Sequence, residues 1–139
     1  MTDSVERAVW DWLRQCPALD ELFFAAARTD GAGAVVVPEE DVELCRFQTG
    51  RERQYRFALT RFDLLTQSPN DDANLCAFER AREVAVWIEA QDAAGCLPAL
   101  PGRRIATGIA VDGLTGADFS NGRCASVTLD VRVDYFEEG

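Results

Sequence analysis

Apolar and polar residues alternate strictly through Val127-Thr-Leu-Asp-Val-Arg-Val-Asp-Tyr135. A period of two puts one set of side chains on a buried face and the other in water. This segment therefore reads as a strand of a half-covered antiparallel sheet. Ile105, Thr107, Ile109 and Val111 alternate in the same way. Asp112-Gly113 and Asn121-Gly122 are hairpin signals, so residues 104–136 predict a meander of two or three strands. Ala34-Val-Val-Val37 predicts a short β-branched strand stopped at Pro38, followed by a solvated turn at Glu39-Glu-Asp41. In the strand predicted at 42–47, Val42, Leu44 and Arg46 share one face, with Cys45 and Phe47 on the other; Thr49-Gly50 closes it. Residues 53–66 form the second long strand, with Tyr55, Phe57 and Leu59 on one face. Phe62 and Leu64 have the opposite parity, which predicts a bulge near Thr60.

The remaining segments have the helical period. Ser4 is a good N-cap, and Val5, Ala8, Val9, Trp12 and Leu13 repeat at helical spacing over 4–15 until Cys16-Pro17 ends the run. Leu19, Leu22, Phe23 and Ala26 predict a short second helix over 18–27, and Thr29-Asp-Gly-Ala-Gly33 a loop. Ser68-Pro-Asn-Asp-Asp72 reads as a loop and helix start. Residues 72–94 then give the longest helix, with a stripe of Leu75, Phe78, Ala81, Ala85 and Ile88 widened by Val84 and Trp87. Gly95 sits at the C-cap position, and Leu97-Pro-Ala-Leu-Pro-Gly102 is a stiff connector. The sum is an α+β fold: an antiparallel β-sheet with one long helix packed on it and an N-terminal helical segment, in a single domain over 1–139.

Composition narrows the function classes. Net charge is −10 and the chain has no histidine, which argues against a general nucleic-acid binder. All 14 basic residues are arginine. A GC-rich coding bias explains this most simply, and a use of forked donors at interfaces is the functional alternative. No apolar run is long enough to span a membrane, and residues 1–7 lack the basic and apolar regions of a secretory signal. Cys16, Cys45, Cys76, Cys96 and Cys124 are widely spaced with no Cys-x-x-Cys, which points to buried free thiols in a reducing cytoplasm rather than to zinc.

Without histidine or lysine, a serine or cysteine nucleophile lacks its usual base, and no phosphate-binding loop is present. The carboxylate groups Glu39-Glu40-Asp41, Asp71-Asp72 and Asp130/Asp134 read as a turn, a helix start and a wet strand face. The expectation is a non-enzyme with no cofactor, metal or small-molecule substrate. Arg51, Arg53, Arg56 and Arg61 crowd one strand and its approach, and Arg51, Arg53 and Arg61 share parity. They read as a soluble outer face or as a strip for acidic groups on a neighbouring subunit, with contact to passing DNA a third option. Trp10 and Trp12 cannot both point inward from one helix, so one is an interface candidate alongside Trp87 in the core.

The order of motifs resembles the tail-terminator (tail-completion, minor tail or minor capsid) proteins of tailed bacteriophages and prophages. It is carried by Val9-Trp-Asp-Trp-Leu13, the Val-Val-Val-Pro38 strand, Phe47-Gln-Thr-Gly50, Tyr55-Arg-Phe57, Glu83-Val-Ala-Val-Trp-Ile88 running on to Gly95-Cys-Leu-Pro98, and Val133-Asp-Tyr-Phe136. The resemblance implies an α+β subunit of a hexameric ring that caps the tail tube, faces the head and lets the genome pass. Its implied partners are further copies of itself, the major tail-tube protein and a head-completion or connector protein. Its implied place is the host cytoplasm during assembly and then the virion tail or neck. A heterologous ring needs two different patches per subunit. From this chain alone, the candidates are Arg51, Arg53 and Arg61, Trp10, and Leu114 and Phe119 of the hairpin at 114–122. Another neck protein, or a small cytosolic ligand-binding module with an enclosed apolar pocket, is the alternative.

Overall fold

The computed structural model describes residues 4–19, 22–24, 33–64, 71–118 and 124–139. The elements are α1 (Val5–Leu13), a 3-10 turn (Pro17–Leu19), β1 (Leu22–Phe24), β2 (Gly33–Arg46), β3 (Gly50–Leu64), α2 (Asp71–Ala94), β4 (Arg104–Asp118) and β5 (Cys124–Glu138). The strands make one sheet in the order β1-β2-β3-β5-β4. All neighbours are antiparallel except β1, which runs parallel to the start of β2. The α+β expectation therefore holds, with a mixed sheet in place of a purely antiparallel one.

One face of the sheet is buried under the helices. β5 buries every second residue from Ala125 to Tyr135, as its alternation requires. Its partners Tyr55, Phe57 and Leu59 lie on the same face of β3, and Val36 continues the layer on β2. α1 closes one side with Val5, Val9, Trp12 and Leu13, after Ser4 Oγ accepts the Arg7 N–H at 3.1 Å. α2 closes the other with Ala77, Ala81, Val84 and Ile88. Ala77 and Ala81 meet Ala125 and Val127, and these small side chains let the helix approach β5 closely. Gly95, at φ +74°, ends α2. Its N–H bonds the Asp92 carbonyl and the Cys96 N–H bonds that of Gln91, the two bonds of a Schellman cap.

Several expectations fail for identifiable reasons. β2 runs unbroken through Pro38 and Glu39-Glu-Asp41. β1 covers only Ala34 to Val36, so beyond them β2 is an edge strand, where proline is tolerated. The bulges fall on β2, between Pro38 and Glu40 and between Glu43 and Cys45, while β3 pairs with β5 without a shift from Gly50 to Leu64. The parity of Phe62 misled because Arg61 and Asp63 take the buried positions instead. Asp112-Gly113 is a bulge inside β4, not a turn. The predicted helix at 18–27 is a 3-10 turn followed by β1 where it is described; residues 20, 21 and 25–27 lie outside the described residues. So do most of the 29–33 loop, residues 68–70 and Asn121-Gly122. Cys16 alone of the four described thiols is buried, since Cys45, Cys76 and Cys96 are exposed.

Candidate assembly surfaces

The arginine strip keeps its shared parity but lies on the helix-covered face, where its members are engaged within the chain. Arg51 donates through Nε to Glu137 at 2.8 Å and lies 3.4 Å from Glu43. Arg104 holds the other oxygen of Glu137 at 2.9 Å. Arg53 donates to Asp41 Oδ1 and to the Tyr135 hydroxyl oxygen, both at 3.2 Å, while that hydroxyl donates to Asp41. Burial, then the bond to Asp41, pushes the Tyr135 phenol up to about 12. These pairs clamp the end of the sheet where β2, β3, β5 and β4 meet.

The clamp has a pH consequence. The guanidinium of Arg104, seconded by Arg51, holds the Glu137 carboxyl below its ordinary range. A carboxyl depressed in the folded state adds stability above its unfolded pKa, near ~4.3, and loses it as pH falls further. Melting temperature is therefore expected to drop as the solution is acidified below that point, and Glu137→Gln should flatten this acid limb. An identical acid limb in the variant would remove the clamp from the account.

Arg61 is 4% exposed. Its Nη2 bonds Asp63 Oδ1 at 3.1 Å, and Arg80 of α2 reaches the same oxygen at 3.1 Å. Its Nη1 donates to the Ala18 carbonyl, tying the segment after α1 to β3. In this fold Arg61 is a core cation rather than a surface for a neighbour.

The opposite sheet face carries no described helix and is polar. Arg56 lies 2.7 Å from Asp112, 3.3 Å from Asp130 and 3.6 Å from Glu40, and Arg132 lies 2.8 Å from Asp112. Gln54 donates to Asp134 at 2.8 Å. Acids outnumber bases here. Burial, and then the hydrogen bond with Asp130, raises the Glu39 carboxyl above its ordinary range.

Among the exposed apolar side chains, Val42, Leu44, Phe47 and Ile105 lie at the strand ends, and others line two grooves on the flanks of the helical layer. On the α1 flank, Trp12 points inward, donating to the Cys96 carbonyl at 2.9 Å and meeting Trp87 at 4.8 Å between ring centroids. Trp10 is the half-exposed member of the pair, with the Arg7 and Arg14 guanidiniums 5.3 and 4.8 Å from its ring. It lines a groove of about 550 Å³ with Phe24 and Pro38. On the other flank, Phe78, Ala85 and Val86 of α2 face Leu114 and Leu129 across a groove of about 370 Å³. Val86 and Leu114 are 59% and 48% exposed. Leu75 and Phe78, expected in the core stripe, are exposed instead. Sequence reasoning singled out Trp10 and Leu114 but missed Phe24 and Val86. The available signal was that 72–94 holds more apolar residues than one stripe needs. Phe119 lies outside the described residues.

No family model matches the chain, and no curated protein matches it. Among solved structures, a chain of the virion of a native gene transfer agent (GTA) particle shares its fold, with a TM-score of 0.58 at 15% identity. The match covers 98% of this chain and 96% of that chain.

Proposed function

We propose that the chain is a structural protein of a phage-like virion: a non-enzymatic ring subunit, hexameric in the full reading, that caps the finished tail tube and offers the face on which the head joins. The supporting observation is the fold shared end to end with a chain of the GTA virion. Two apolar flanks at opposite ends of one subunit are what ring closure requires of a single chain. Its partners in this reading are further copies, the last tail-tube ring and a head-completion or connector protein, first in the host cytoplasm and then in the tail or neck. The genome passes without specific contact, in keeping with the acidic open sheet face.

Deleting the gene in a particle-producing host tests this by electron microscopy. Capping predicts tubes that outgrow the normal length and carry no heads. Tubes of normal length without heads would move the protein to the neck. Infectious particles at normal titre would overturn both readings.

A further inference from the structure

We propose that copies of this chain associate head to tail, the α1/β1 flank of one receiving the α2/β4 flank of the next. The inference rests on the ring reading above and supplies its surfaces.

Both sheet edges are poorly suited to strand addition. Beyond β1, the outer edge of β2 carries Pro38 and two register shifts, and β4 carries three. Bulges twist an edge away from a flat ladder. Contact through side chains is what remains. Val42, Leu44, Phe47 and Ile105 are exposed elsewhere on the sheet, and two unlike apolar grooves lie at opposite edges. One is aromatic, with Trp10 and Phe24 over Pro38. The other is mainly aliphatic, with Val86 and Leu114 more exposed than Phe78 beside them. Unlike patches on one chain make heterologous contacts.

Charge favours a second copy as the occupant. Most described arginines sit in ion pairs within the chain. Among the described residues, Arg14, Arg82 and Arg103 are the arginines with no ion pair, and Glu6 and Glu89 are among the acids with none. Glu6 lines the aromatic groove, and Arg14 stacks on Trp10 at its border. Arg82 and Glu89 line the aliphatic groove. Each flank thus holds one unspent cation and one unspent anion. Docking the flanks pairs Arg14 with Glu89 and Glu6 with Arg82, so that the rim charges select the partner and the apolar centre supplies affinity.

Sedimentation of the purified full chain tests the pairing. Arg14→Glu and Glu89→Arg are each expected to raise the dissociation constant about tenfold or more, and the double variant, with the pair reversed, to restore assembly. Val86→Glu and Phe24→Glu each leave one flank intact, so each alone should be monomeric while their mixture forms a dimer and nothing larger. Both sites are exposed, at 59% and 44%, and circular dichroism checks that the fold is kept. Single-flank variants that assemble like the wild type overturn these surfaces, while tail length in the deletion strain still reports separately on the virion role. A wild type that stays monomeric at millimolar concentration overturns the pairing outright. If Val86→Glu chains assemble with one another, the contact is between like flanks and the head-to-tail arrangement is wrong.

Discussion

Trp12→Ala is expected to cost about 3–5 kcal/mol, the range for removing a large aromatic side chain from a packed core. The side chain is buried, packs at a tilt against Trp87 and donates to the Cys96 carbonyl just past the end of α2. Alanine therefore loses apolar area, leaves a cavity between the two helices and orphans a partly buried carbonyl. Trp12→Phe separates these contributions. It keeps most of the ring and gives up the hydrogen bond, for a loss of about 1 kcal/mol or somewhat more where the smaller ring packs loosely. Urea unfolding followed by circular dichroism measures both. A loss below about 1 kcal/mol for the alanine variant would mean that α1 is not part of the cooperative core.

Trp12 also shows how far the chain could be read in advance. Its helix was legible because Val5, Val9, Trp12 and Leu13 make a single narrow stripe behind a serine cap. β5 was legible for the same reason: one buried face and strict alternation leave only one register. α2 was legible as a helix but not as an oriented one. Its apolar residues serve two surfaces, the buried line of Ala77, Ala81, Val84 and Ile88 and the exposed group of Leu75, Phe78 and Val86. A periodicity argument assumes one apolar face, so it drew a stripe through both.

The errors in β2 and β4 are of another kind. Proline, paired acids and Asp-Gly are turn signals because they break ladders or demand special backbone angles. At a sheet edge a strand absorbs them as bulges and continues. Whether a strand is an edge depends on topology, which local sequence does not encode. The arginine strip fails through the same gap. Parity was correct for Arg51, Arg53 and Arg61, but which parity lies beneath the helices depends on where Asp41 and Glu137 arrive from neighbouring strands and where α2 brings Arg80 to Asp63.

Removing Asp63 is the second large expected effect. Asp63→Ala should cost about 3–5 kcal/mol, because it takes a hydrogen-bonded carboxylate away from the buried Arg61 guanidinium and from Arg80. Replacing both, as Arg61→Met with Asp63→Leu, should recover most of that loss, since a buried pair exchanged for apolar side chains of similar volume is often neutral or stabilising. If the double variant is as unstable as Asp63→Ala, the pair contributes net stability beyond its own desolvation. If it recovers, the pair is kept for position. Arg61 holds the Ala18 carbonyl and Arg80 reaches across from α2, so the network fixes the segment after α1 against both sheet and long helix. That segment follows directly on the helix that carries Trp10 and is capped by Arg14. A recovered double variant that folds well but self-associates weakly would show that the buried charges set the angle at which the α1 flank meets its neighbour.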